Sequence, residues 1–230
     1  DLIQGSITKS LILFSIPLII GNLLQQLYNI IDTLIVGQYL GSQALAAVGS
    51  SFTLMTFLTS IVLGLCMGSG VLFSMLYGAG ELDKMKISFF VSFVSIGILA
   101  MMIEGLCLIF INPILYFLNI PGAIYQLTYQ YLIIVFTGII FTFLFNYLSS
   151  LLRALGDSKT PLYFLAVSAI INIILDIVFI AYCHMNTDGA ALATIIAQGI
   201  AAVGLTHYVY YKEKHLLPER KHFVFDREIF

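Results

Sequence analysis

Three acidic residues lie inside long apolar runs of this 230-residue sequence: Asp32, Glu104 and Asp176. An aspartate at the centre of a bilayer costs roughly 2.5–3.5 kcal/mol on insertion scales, so two of them cost about 6 kcal/mol. No Lys or Arg shares those runs, and ion pairing cannot offset the cost. A bound cation, a proton or a hydrogen-bonded network can, and the neighbouring residues suit that chemistry. Asn22, Gln25, Tyr28, Asn29 and Asp32 share one face of a helix, Ser168, Asn172 and Asp176 another, and Thr194 and Gln198 a third. Counted from the expected span ends, Asp32, Asp176 and Thr194 lie at a common depth of roughly 7–11 Å below one surface. Two carboxylates, an amide and hydroxyls at one depth make an oxygen-rich pocket suited to a hard cation such as Na⁺, or to protons. Glu104 has no polar companion at helical spacing, so snorkelling, a contact with another chain and a transport role all stay open for it.

The elements that must hold these residues are mapped by the charges. Hydrophobic residues make up 60% of the chain and charged residues 10%, against roughly 45–50% and about 25% in soluble domains. So few charges cannot cover a water-facing surface, and the mean hydropathy of +1.02 agrees. A net charge of −2 and three cysteines without metal spacing argue against a nucleic-acid partner and a disulfide scaffold. The bases cluster at Lys9, at Lys84 and Lys86, at Arg153 and Lys159, and from Lys212 through Lys214, Arg220 and Lys221 to Arg227. Each base-free interval holds two membrane helices of about 20 residues and a turn. Breaks at 37–42, 112–122 and 184–189 mark the turns. Six spans are therefore expected near 10–36, 44–78, 87–112, 124–152, 160–183 and 189–211, in an all-α integral membrane fold. Every base then falls on one face, which the positive-inside rule makes cytoplasmic, with both termini. Residues 1–211 form the six-helix unit, and residues 212–230 read as a cytoplasmic tail or a truncated linker. Pro17, lacking a backbone donor, is expected to kink the first span as a hinge. Gly64, Gly68 and Gly70 are expected to let helices approach closely.

At these residues the sequence resembles the multidrug and toxic compound extrusion (MATE) family of cation-coupled drug antiporters. The resemblance runs from about Leu11 to Tyr211 and rests on ordered pieces. These are Pro17 and the Gln25-to-Asp32 stripe running into Gly37, the Gly41-to-Gly49 turn, and Tyr77-Gly78-Ala79-Gly80. Leu152-Arg153-Ala154-Leu155-Gly156-Asp157 before Pro161, Asn172 through Asp176, and Gly189 through Thr194 follow in order. The resemblance implies one lobe, the N-terminal one, of a twelve-helix transporter that exports cationic, amphipathic drugs in exchange for Na⁺ or H⁺. It implies a cation site at Asp32, Asn172, Asp176 and Thr194, with Gln25, Tyr28 and Tyr131 in support and Asn146 at the margin. No catalytic residue and no cofactor beyond the coupling ion is implied, and the protein is not expected to be an enzyme. The expected partners are cationic amphipathic small molecules, the bilayer of the cell membrane and a second lobe, from the same polypeptide or a second chain.

Three rival readings remain. A lipid-linked oligosaccharide flippase of the same superfamily would need Arg or Lys in its cavity to meet a pyrophosphate, and the expected spans offer none. An intramembrane aspartyl protease would use two aspartates, but Asp32 follows Ile31 and Asp176 follows Leu175, outside that chemistry's Tyr-Asp and Gly-x-Gly-Asp signatures. A lone lobe could also be a non-transporting membrane subunit.

Overall fold

The computed structural model describes residues 7–219 and residue 222, and among these it is helical without strands. Its helices are α1 (Ile7–Leu40), α2 (Ser42–Gly78), α3 (Leu82–Ile109), α4 (Ile111–Phe117), α5 (Gly122–Phe136), α6 (Ile139–Ala154), α7 (Lys159–Asp176) and α8 (Thr187–Lys212). Wider π-helical turns over Ile177–Tyr182 prolong α7. With α5 and α6 taken as one span bent by 44°, six apolar segments are long enough to cross a membrane. The bundle gathers round two helices. α2 packs on α3, α5 and α6, and α8 packs on α5, α6 and α7. α1 lies along the outside, against α7 and α2.

An aromatic cluster joins α2, α3 and α6: Phe73, Phe89, Phe93, Phe143 and Tyr147 meet at centroid distances of 5.2–6.1 Å. The Tyr147 hydroxyl is fully buried and donates to the Phe89 carbonyl at 2.6 Å. A phenol in lipid-facing structure must find such an acceptor within the protein. Close approach is set by small residues. A Cβ built on Gly70 of α2 would lie 3.1 Å from Cβ of Ser150 on α6. Gly64 and Gly68 were expected to act likewise, but a Cβ on either meets nothing within 4 Å. Their face of α2 turns away from the other helices described.

The span ends are built from local hydrogen bonds. Gly156 has φ 89°, a left-handed conformation that costs glycine little, and it closes α6 as the Asp157 N–H donates to the Leu152 carbonyl. Asp157 then opens α7 by accepting from the backbone N–H groups of Lys159 and Thr160, at 3.1 and 3.0 Å. Arg153-Ala-Leu-Gly-Asp157 is thus a helix stop followed by a helix start. The basic connections gather at one end of the bundle, where the Ser158 hydroxyl donates to the Phe14 carbonyl and Thr160 meets Tyr208. Segment 213–219 with His222 is more than a free tail. Glu219 lies 3.6 Å from Lys86, and buried His222 bonds Asp83 at 2.8 Å. The side chain of Lys9 and the bases Arg220, Lys221 and Arg227 lie outside the described residues.

Two local features depart from the expected pattern. The 112–122 break contains helix α4, because Pro113 falls in its first turn, where a missing N–H costs nothing. The turn proper is confined to 118–121. The fourth span breaks at Thr137-Gly138, where the Thr137 hydroxyl donates to the Ile134 carbonyl and the backbone tightens to i→i+3 bonds. A Cβ on Gly138 would sit 2.9 Å from Ile195 Cγ1, so α8 presses on the break. The break exposes the first N–H groups of α6 inside the span, and Glu104 of α3 lies near that of Ile140.

Two stability predictions follow, read by thermal unfolding of purified protein. Gly70→Leu should destabilise by about 1–3 kcal/mol through overpacking against Ser150, while Gly68→Leu stays near wild type. Glu104→Ala should cost about 1 kcal/mol through the lost anion at the α6 N-terminus, and Glu104→Asp should recover little because its carboxylate falls short.

Candidate functional site

α1, α7 and α8 bring the acidic residues together. Asp32 lies 8% exposed on α1, Asp176 0% exposed at the end of α7 and Asn172 1% exposed one turn earlier. Asp32 and Asp176 face each other within hydrogen-bonding reach. When both are ionised they have only acceptors to offer one another, whereas one proton between them would let one donate. Apart from each other, Asp32 Oδ1, both Asp176 oxygens and Asn172 Oδ1 are buried without a hydrogen-bond partner among the described residues. Such a cluster of orphaned oxygens is costly unless something positive is shared between them.

Thr194 of α8 organises the other side. Its hydroxyl donates to the Ala190 carbonyl at 3.0 Å and accepts from Asn172 Nδ2 at 3.4 Å. The Tyr28 hydroxyl lies 3.4 Å from the same atom. Asn172 therefore turns its amide nitrogen to Thr194 and leaves its oxygen unpaired. Tyr131 of α5 is buried within electrostatic reach of Asp32, Tyr28 and Asp176. The π-helical turns begin directly after Asp176. Their extra residue per turn re-aims the backbone, with Cys183 N–H donating to Val178 O, a device that recurs at functional sites.

A small cavity of ≈ 60 Å³ adjoins this group through Tyr28, Asn172 and Thr194 and is lined also by Gln25 and Gln198, whereas Asp32 and Asp176 themselves line neither it nor the larger cavity. That volume suits an ion or a water or two. Through Gln25, Leu165, Ser168 and Gln198 it adjoins a larger cavity of ≈ 720 Å³ extending to the basic end. Asn22 and Pro17 line the larger cavity only, and α1 runs as helix on both sides of Pro17. Asn146 also lines it and donates to the Thr142 carbonyl, away from the acids. Asn29 of the α1 stripe lines neither cavity, and Glu104 belongs to the α6 break.

Arg153 is the residue whose second position counting charges along the chain misses. It ends α6 and also lines the large cavity, so the cavity does carry a base, contrary to expectation. Asn146, Ser150 and Arg153 are spaced four and three apart, which already places the guanidinium on the cavity face of α6.

Facing carboxylates lead to a specific stability prediction. Asp176→Asn supplies an N–H donor to Asp32 without changing shape. In sodium-free alkaline buffer, where both carboxylates are ionised, it should raise stability by about 1–3 kcal/mol. A lower melting temperature for this variant would show that the pair is already satisfied in the wild type.

Comparisons with known proteins agree with this architecture. The MatE family model matches residues 17–178. The chain is 37% identical over 224 residues to the "Probable multidrug resistance protein YpnP" of Bacillus subtilis, covering 94% of this chain and 48% of that protein. It is 28% identical to the FAD transporter of Shewanella oneidensis, covering 98% of this chain and 50% of that protein. A multidrug resistance MATE family transporter of the MOP superfamily, solved outward-facing, superposes with TM-score 0.91 at 25% identity, covering 98% of this chain and 50% of that one. The chain thus spans about half the length of these relatives, which are transporters rather than enzymes. With a family match over most of its length and the six-span lobe in place, the chain belongs to the MatE family of multi-pass membrane transporters.

Proposed function

We propose that this chain is the cation-binding lobe of an antiporter that exports cationic, amphipathic drugs in exchange for Na⁺ or H⁺ by alternating access. The observation that carries the proposal is the facing pair Asp32 and Asp176, whose buried oxygens lack donors beside a cavity of ion size. The multidrug name of the Bacillus relative supports drugs as the cargo.

In this reading the coupling ion is a substrate that binds between the carboxylates, with the oxygens of Asn172 and Thr194 beside it. Two like charges about 4 Å apart at an effective dielectric near 20 repel by about 4 kcal/mol, so neutralising them is a large local change. α1 carries Asp32 and lies on the outside of the bundle, against α7 and α2, so it is the element free to move. With Pro17 as its hinge, α1 shifts when the pair is neutralised and narrows the large cavity that Pro17 and Gln25 line. The ion favours one state of the lobe, the drug the other, and each lowers the affinity for its competitor. The bases mark the cytoplasmic side of the cell membrane, both chain ends lie there, and a second lobe of the same polypeptide or another chain closes the cleft.

Gradient-driven efflux of a fluorescent cation from cells making the full-length transporter tests this. Asp32→Asn or Asp176→Asn should abolish coupling, with efflux falling at least tenfold. Thr194→Val should weaken cation dependence by roughly tenfold, as loss of one hydrogen-bonding oxygen allows. Efflux of wild-type rate in both Asn variants contradicts the mechanism. A lipid-linked oligosaccharide flippase, the second reading, is favoured only by the guanidinium in the large cavity and would work without either gradient.

A further inference from the structure

We propose that Arg153 anchors an oxyanion of the transported molecule, so that this lobe prefers amphipathic substrates carrying a carboxylate or phosphate at one end and an amine at the other. The inference rests on the transport reading above and specifies its substrate class. Among the described residues that line the ≈ 720 Å³ cavity, Arg153 is the only charged one. Its Nε is buried and has no hydrogen-bond partner among the described residues, nor does any described carboxylate pair with it. A guanidinium held this way presents a planar fork of donors shaped for a carboxylate or phosphate.

The surroundings complete such a site. The Gly70–Ser150 contact fixes the level at which α2 and α6 touch. One turn further toward the basic end, α2 presents Ser74 and α6 presents Arg153, both on the cavity wall. Ser74 and Ser150 therefore line the cavity near the level of Arg153, from two helices. The other end of the cavity is marked by Thr142, whose hydroxyl donates to Gln198 Oε1 at 2.9 Å. From Thr142 to Arg153 along α6 is about 16 Å at 1.5 Å per residue. Beyond Gln198 lie the small cavity and the acid pair. The large cavity is thus positive at one end and faces negative charge past the other, with Leu63, Met67, Phe145 and Leu165 between. A purely cationic ligand meets no complement at the Arg153 end, whereas a zwitterionic amphipath meets one at both.

The test is equilibrium binding of two probes to the intact, purified transporter without any ion gradient: a rhodamine bearing a free benzoate and its methyl ester. The acid should bind about tenfold tighter than the ester, as one charge-assisted contact allows. Arg153→Gln should bring the two affinities together while leaving ester affinity unchanged, which also reports an intact fold. Arg153→Lys should keep part of the preference. Asp32→Asn should leave the acid-to-ester ratio intact, so loss of coupling and loss of oxyanion selection are read separately. Measurements in delipidated maltoside detergent and in phospholipid nanodiscs should agree. A preference that disappears in nanodiscs makes a lipid phosphate the partner of Arg153 and overturns the proposal. So does a ratio near one in the wild type, a ratio that survives Arg153→Gln, or failure of both probes to bind.

Discussion

The hydrocarbon core around a membrane helix bundle has no water to solvate polar groups, so each must be satisfied by the protein, by a cavity within it or by what the protein carries. The architecture of this lobe follows from that demand. The Tyr147 phenol, the hydroxyls of Thr128 and Thr187 and the Gln198 amide all find partners on their own or a neighbouring helix. Asp32 and Asp176 do not. Placed face to face with four buried oxygens left over between them and Asn172, they form, among the described residues, an acidic group that a mobile positive charge would complete. Around it the helices carry special geometry. α7 loosens into π-helical turns right after Asp176, and the α5–α6 span breaks at Gly138 under the pressure of α8.

The aromatic cluster ties one part of the lobe together, and the polar network joins α1 to α7 and α8. α2, α3 and α6 are locked by Phe73, Phe89, Phe93, Phe143 and Tyr147, whose rings interleave across three helices. α1 has no such anchor. Its polar face lines cavities, while Ile16, Ile19, Leu23, Leu27 and Ile30 stay exposed. α1 thus carries one member of the acid pair and lines both cavities. The same logic separates the roles of the three intramembrane acids. Glu104 answers a local backbone need at the α6 N-terminus, whereas the two aspartates answer nothing in the described protein.

Much of this was legible in the sequence, for physical reasons. Helical spacing put Asn172 and Asp176 on one face, and depth counting put Asp32 and Thr194 at their level. The spans stood out because apolar runs of membrane length have few alternatives. What escaped was backbone detail. Asn112-Pro113 reads as a turn, yet proline is at home in a first helical turn, so α4 was invisible. Thr137-Gly138 is compatible with an unbroken helix, and only the side chain of Ile195, distant in sequence, makes the break necessary. Arg153 was read only as a marker of the membrane surface because bases at span ends usually are, although its spacing from Asn146 and Ser150 also placed it on the cavity face. Gly64 and Gly68 share the pattern of Gly70, but which glycine is pressed depends on how α2 is rotated against α6.

The central claim is that Asp32 and Asp176 together hold one coupling cation, and cation binding itself is the most direct measurement. Purified protein should take up about one Na⁺ per chain in equilibrium dialysis, or about one proton in a pH-jump titration, as a single shared site between two carboxylates requires. The Asp32→Asn, Asp176→Asn double variant should take up neither. Undiminished uptake by the double variant, or no uptake of either ion by the wild type, would contradict the account.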